Sequence, residues 1–259
     1  MNGEPVASLE CRDLTVGVPD RVLIRALQAR LAGGKVIALL GRNGAGKSSL
    51  LHVLAGLRAA TSGGVTLQDR AVSHWPRREF ARHVALLPQS SEDPFPGTVL
   101  ESALIGRHPH IEFWRWESEA DVAIARACLA LVDLGGLDGR DVATLSGGER
   151  RRVAIAAVLA QDPQTFLLDE PVQQLDPLHQ YGVLELFRAR ADAGRCVVMS
   201  LHDPGLAAQF ADEALLLFGD GRWLHGPAGE VLDAASVGAL YGVPVRELRW
   251  ETGRTFVPQ

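Results

Sequence analysis

Eight residues, GRNGAGKS at positions 41–48, constrain this 259-residue chain more than any other stretch. They fit the pattern G-x-x-x-x-G-K-[ST] and directly follow VIALL, an apolar run that reads as a buried strand. At the chain's own residue frequencies the pattern arises by chance about 0.002 times in the whole sequence, so coincidence explains it poorly. A strand turning through glycines into a helix makes backbone N–H groups converge, with the positive end of the helix dipole behind them. That arrangement binds phosphate. A ligand-free glycine turn would account for the glycines but not for Lys47, and lysine is scarce here. Of 26 basic residues only Lys35 and Lys47 are lysines.

The rest of the chain fits an α/β class. Short apolar runs at 36–40, 84–87, 166–168 and 196–200, each bounded by Gly, Pro or polar residues, read as buried parallel strands with helical stretches between them. Residues 9–18 and 65–68 alternate more and flank Ser62-Gly63-Gly64, which predicts a small antiparallel sheet beside the parallel one. Between Gln89 and Gln161 the pattern turns helical, at 98–105, 120–132 and 149–160, as expected of a helical subdomain inserted into the core. ALLLF-GDG-RWLHG reads as a hairpin, followed by a short helix over about 231–241. With no linker or repeat, residues 1–259 are read as one domain. Its core spans about 1–88 and 161–241, its helical subdomain about 89–160 and its short C-terminal tail 242–259.

Composition excludes several classes. With 47% apolar and 22% charged residues the chain is neither disordered nor a coiled coil. A net charge of −5 supplies no sequence-wide pull toward phosphate backbones, so no nucleic-acid partner is expected. Cys11, Cys128 and Cys196 form no C-x-x-C pair and read as buried free thiols. No apolar stretch approaches the roughly 18 to 20 residues that cross a bilayer, and the first residues lack the basic-then-apolar pattern of a secretory leader.

Two further segments carry chemistry. In TFLLDEP an apolar strand delivers Asp169 and Glu170 at its C-terminal end, where ligands bind in open α/β sheets. Alone, such an acidic pair is more often a helix cap or a solvated turn; beside GRNGAGKS, Asp169 reads as a magnesium holder and Glu170 as the base that polarises attacking water. In LSGGERRRVAIAAVLAQ, Ser146 and Glu149 form a capping box. A cap does not require Gly147 and Gly148 in the first turn, whereas a second anion site does. One nucleotide cannot easily use two such sites on one protomer.

LSGGE, about a hundred residues after the phosphate loop and about twenty before FLLDE, resembles the signature of ATP-binding cassette (ABC) ATPases. Gln89 in LLPQ resembles the Q-loop glutamine, Leu175-Asp176 the D-loop and His202 in MSLHD the switch histidine. The resemblance covers roughly residues 9–241. It implies a P-loop NTPase fold with a RecA-like core, ATP and Mg²⁺ as ligands, and ATP hydrolysis. Gly41, Arg42, Asn43, Gly44, Ala45, Gly46, Lys47, Ser48 and Ser49 would bind ATP. Ser48, Gln89 and Asp169 would hold the metal, and Glu170, His202 and Gln89 would carry catalysis. Leu145, Ser146, Gly147, Gly148 and Glu149 would close over ATP held by a second, head-to-tail copy.

The chain departs from the family in three places. LTVGVPDRVLI offers Val16 and Val18 where many members stack an aromatic residue on adenine. Arg42 replaces the usual loop proline, and Gln173 and Gln174 stand where smaller residues are common. GRHPH from Gly106, LDPLHQ and YGVPV resemble ATPase subunits of importers for ferric siderophores, haem and cobalamin. The reading is therefore a homodimeric, peripheral ATPase on the cytoplasmic face of the inner membrane, serving separate permease subunits fed by an extracytoplasmic binding protein. Exporter or lipoprotein-release ATPases, and non-transport ABC proteins, are the alternatives. GRHPH is expected to be a solvated loop and Trp114 and Trp116 partly buried on a subdomain face, with a partner-facing patch as the alternative, and Pro94, Pro96 and Gly97 are expected to be a hinge.

Overall fold

The computed structural model describes residues 8–89, 97–112, 114–251 and 253–259. Strands β1 (Leu9–Val18) and β2 (Arg21–Leu31) form an antiparallel hairpin, which joins β4 (Ser62–Leu67) and β5 (Arg70–Ala71) in a sheet of order β2-β1-β4-β5. Strand β3 (Lys35–Gly41) lies inside a second sheet with β6 (Val84–Leu87), β7 (Thr165–Leu168), β8 (Cys196–Ser200), β9 (Glu213–Leu217) and β10 (Trp223–Pro227), in the order β10-β9-β3-β8-β7-β6. Every pair in it is parallel except β9 with β10. Helix α1 (Lys47–Leu54) buries Leu50, Leu51 and Leu54 between the two sheets, in one cluster with Leu14, Leu27, Ile37 and Leu39. The phosphate loop is thus fixed by the core on both sides.

The parallel strands appear where expected, because burial on both faces makes them continuous apolar runs. The hairpin near the end also forms, and its first strand joins the central sheet beside β3. Strand β2 escapes the sequence reading for a physical reason. It buries Leu23, Ile24, Leu27 and Leu31, a spacing that suits a helix, and reaches it through register shifts against β1 with Ala26 at φ 47°.

Short helix α2 (Arg77–Phe80) precedes β6, and α3 (Val99–Leu104), α4 (Glu119–Ala130) and α5 (Gly147–Ala160) pack against one another between β6 and β7. Each of these three starts with a capping box, on Thr98, Ser118 and Ser146. GRHPH is not the solvated loop expected: Arg107 pairs with Asp121 at 2.9 Å and donates to the Ala160 carbonyl at 2.8 Å, while His110 Nε2 meets the Gln161 carbonyl at 2.8 Å. The segment ties α4 to the end of α5. Trp114 and Trp116, expected to be partly buried, are 90% and 89% exposed. Of the expected hinge, Pro94 and Pro96 lie outside the described residues; the Gly97 carbonyl accepts from the Val142 N–H.

Helix α6 (Pro177–Asp192) follows β7, and α7 (Pro204–Phe210) follows β8. The helix expected over 231–241 is two, α8 (Ala228–Val231) and α9 (Ala234–Tyr241), because Asp233 caps a fresh start. Within the short C-terminal tail, β11 (Val245–Trp250) and β12 (Gly253–Pro258) form a hairpin that packs on α7 and buries Phe256. All three cysteines are buried and free, and burial pushes Cys11 and Cys196 up to about 12.

Candidate functional site

The strand-to-helix turn after β3 carries residues 41–48. Gly46 sits at the start of α1 with φ 107°, and a Cβ there would stand 3.1 Å from the Leu23 Cβ, so conformation and space both demand glycine. Lys47 is buried and its Nζ donates to the Gly41 carbonyl at 2.8 Å. Burial lowers its pKa, and the carboxylates of Glu170 and Asp169 oppose the fall. Ala45 is buried, Ser48 and Ser49 are half-buried, and Arg42, Asn43 and Gly44 are exposed. Arg58 reaches the Ser49 hydroxyl at 3.1 Å, and Arg21 of β2 donates to the Gly44 carbonyl at 2.7 Å. Of the two valines upstream, Val16 is buried under the small sheet and Val18 is exposed.

At the end of β7, Asp169 and Glu170 are both buried. Glu170 lies in the left-handed region at φ 50°, disfavoured for a residue with a Cβ, and a hydroxyl holds it there. Its N–H donates to Ser200 Oγ at 2.8 Å, and that hydroxyl donates to Asp169 Oδ1 at 2.7 Å. Gln89 Nε2, just past β6, donates to Glu170 Oε2 at 3.1 Å. His202 Nε2, just past β8, lies 2.6 Å from Glu170 Oε1. The C-terminal ends of β6, β7 and β8 thus bring Gln89, Asp169, Glu170 and His202 together, and the carboxylates of Glu170 and Asp169 act electrostatically on Lys47.

The signature residues stand apart from this cluster. Ser146 Oγ accepts from the Glu149 N–H and the Glu149 carboxylate accepts from the Ser146 N–H, so the plain capping box exists. Gly147 and Gly148 open the helix beside a cleft of about 550 Å³ that is also lined by Gln174, Leu175, Asp176 and His179, and by none of residues 41–49. Leu145 is buried. Asp176 caps α6 and pairs with His179 Nδ1 at 2.6 Å. Gln174, at φ 65°, folds over the signature turn: a Cβ on Gly147 would stand 2.8 Å from its Oε1.

A family model described as ABC transporter matches residues 24–173. The chain belongs to the ABC transporter family. It is an ATPase of that family, in which ATP hydrolysis powers transport. It is 41% identical over 230 residues to the hemin import ATP-binding protein HmuV of Nocardia farcinica, covering 89% of this chain and 79% of that one. It is 40% identical over 242 residues to the protein of the same name from Pseudomonas fluorescens, covering 92% and 93%. The fold also matches a solved structure described as a metal-chelate type ABC transporter in an inward-facing conformation. There the TM-score is 0.84 and the identity 27%, with 98% of each chain covered. Among the described residues no helix is long and apolar enough to cross a membrane.

Three residues of this site were missed from sequence. Ser200 is the one hydroxyl in the buried strand CVVMS, which was the available signal. Arg151 lies in line with buried Ile155 and Leu159 at helical spacing. Tyr241 opens the YGVPV stretch, but nothing local reveals that its hydroxyl donates to the His202 carbonyl at 3.0 Å.

Proposed function

We propose that this chain is the ATP-hydrolysing subunit of a haem importer, acting as a homodimer beneath separate permease subunits on the cytoplasmic face of the cell membrane. An extracytoplasmic binding protein would deliver haem to the permease, and no nucleic acid takes part. The observation that carries hydrolysis is the Glu170 carboxylate, buried beside Asp169 with one oxygen toward Gln89 and the other toward His202. A carboxylate so held has a fixed direction in which to accept a proton from water. The names of the relatives support haem as the cargo.

The phosphate loop fits a nucleotide: its Gly46 turn has no room for a side chain and its lysine is buried at the floor. Lys47 would pair with the β- and γ-phosphates, and residues 41–46 would present backbone N–H groups to them. Ser48, Asp169 and Gln89 offer only hard oxygen donors, and no group of three or more His, Cys, Asp or Glu side chains among the described residues forms a metal cage. That donor set suits Mg²⁺, which keeps water and phosphate oxygens among its ligands. Mg²⁺ would neutralise charge on the phosphates. His202 would stabilise charge on the γ-phosphate. Because the cleft at Ser146, Gly147 and Gly148 excludes residues 41–49, those residues with Leu145, Glu149 and the D-loop would serve the ATP of a partner copy.

The test is ATP-driven uptake of haem into vesicles carrying the permease and this subunit, with Glu170→Gln as the control. Haem should accumulate. The variant should bind ATP but hydrolyse it about 10²- to 10⁴-fold more slowly and abolish uptake. Uptake of cobalamin or a ferric siderophore in place of haem overturns the cargo, and near-normal hydrolysis by Glu170→Gln overturns the role of Glu170.

A further inference from the structure

Three arginines follow the signature glycines, and the middle one turns inward: Arg151 is only 4% exposed. The helical period sets it in line with Ile155 and Leu159, which face the core. A buried guanidinium is ordinarily paired with a carboxylate, yet among the described residues Arg151 forms no ion pair. It donates instead to five carbonyls. Nη1 reaches Pro88 at 2.6 Å and Gln89 at 3.3 Å, Nη2 reaches Asp169 and, at 2.8 Å, Glu170, and Nε reaches Pro171 at 3.3 Å.

These carbonyls belong to two segments with different origins in the chain. One leaves β6 and carries Gln89; the other leaves β7 and carries Asp169 and Glu170. Their side chains meet at Gln89 Nε2 and Glu170 Oε2, 3.1 Å apart, directly beside the crosslink. Glu170 is also the residue in the left-handed region, so its backbone is gripped at both ends, by Ser200 at the N–H and by Arg151 at the carbonyl. Burial pulls the guanidinium down to about 10 while the carboxylates of Asp169 and Glu170 oppose the fall, which leaves it charged at neutral pH. A planar fork with five donors matches five carbonyls; an ammonium with three donors cannot.

We propose that Arg151 is a positioning residue for hydrolysis, which fixes Glu170 against Gln89 and ties that pair to the first turns of the signature helix. The Gly147-Gly148 turn and the carboxylate turn would then shift together, because one side chain four residues after Gly147 holds the second to the first. The proposal rests on the reading of Glu170 as the hydrolytic base.

The experiment compares Arg151→Lys, Arg151→Gln, Glu170→Gln and the Arg151→Lys/Glu170→Gln double variant in the full-length chain. It measures steady-state and single-turnover ATP hydrolysis, fluorescent-nucleotide affinity and thermal unfolding. Arg151→Lys should lower kcat about tenfold while KM and nucleotide affinity stay within about twofold, the split expected when a group acts only on the reacting geometry. Arg151→Gln should lose more. In the Glu170→Gln background Arg151→Lys should cost less than about twofold further, because both act through one carboxylate. Should Arg151→Gln fail to fold, Arg151→Lys, which keeps the charge, carries the test alone. A normal kcat in Arg151→Lys beside a crippled Glu170→Gln overturns the positioning role and leaves Glu170 standing, as does a tenfold loss that persists in the Glu170→Gln background. Near-normal hydrolysis by Glu170→Gln overturns the reading of Glu170 itself.

Discussion

Ser200→Ala deletes one oxygen from the most enclosed hydrogen bonds of the site. Ser200 is fully buried, and its hydroxyl accepts from the Glu170 N–H at 2.8 Å while donating to Asp169 Oδ1 at 2.7 Å. Alanine leaves a buried N–H with no acceptor and a buried carboxylate one donor short. Orphaning a buried group costs about 1–3 kcal/mol. A loss of about 2 kcal/mol lowers Tm by about 4–8 °C in a chain of this size. The same hydroxyl restrains Glu170 in its left-handed backbone, a conformation disfavoured by about 1–2 kcal/mol, so its removal lets the carboxylate leave its pose. A comparable loss of transition-state stabilisation, about 1.4 kcal/mol, is tenfold in kcat. KM for ATP should hold, because both hydrogen bonds of the Ser200 hydroxyl go to Asp169 and Glu170 rather than to residues 41–48. Calorimetry gives Tm, and a phosphate-release assay gives kcat and KM. A Tm within about 1 °C of wild type refutes the account of the orphaned N–H, and a lowered Tm with unchanged kcat refutes the link from Ser200 to the carboxylate.

Ser146→Arg should leave nucleotide binding by the single chain largely intact and block ATP-driven closure of two protomers. Mixing it with Lys47→Ala should restore hydrolysis through one intact composite site, and a mixture no more active than its two components sinks the shared-site reading. Asp121 is held down to about 2 by the Ser118 hydroxyl and by Arg107 beside it, against an ordinary 3.8. Its folded pKa is the lower one, so its stabilisation is complete above about pH 4 and disappears as pH falls toward 2. The Tm gap between wild type and Asp121→Asn should therefore narrow over that interval, and a gap independent of pH means that the carboxylate charge contributes nothing.

How much of the fold was legible depended on whether burial followed a simple period. Strands β3, β6, β7 and β8 are apolar on both faces and bounded by breakers, so their positions could be read directly. Strand β2 could not be read, because its bulged register buries Leu23, Ile24, Leu27 and Leu31, a helix-like spacing. The β11–β12 hairpin failed for the opposite reason: β11 exposes most of its side chains, and what orders the pair is packing on α7, about forty residues back in the chain. The GRHPH segment looked like a polar loop since nothing local reveals that Arg107 and His110 meet carbonyls more than fifty residues away.

The site divides in the same way. Lys47, Asp169, Glu170, Gln89 and His202 each sit just past a strand, and parallel pairing alone brings such ends together, so motif spacing was enough to assemble them. The residues that hold this cluster in place could be placed on their elements but not given their partners, because Ser200, Arg151 and Tyr241 act on backbone and carboxylate groups 18 to 63 residues distant. The signature glycines were read as space for a phosphate, yet Gly147 also leaves room for Gln174 of its own chain. A Gly147→Ala chain would therefore disturb the D-loop before any partner nucleotide arrives. Ser146 lines the same cleft with its hydroxyl turned to the Glu149 N–H, while Gln174 meets Gly147 and Gly148, which is why the arginine belongs at Ser146.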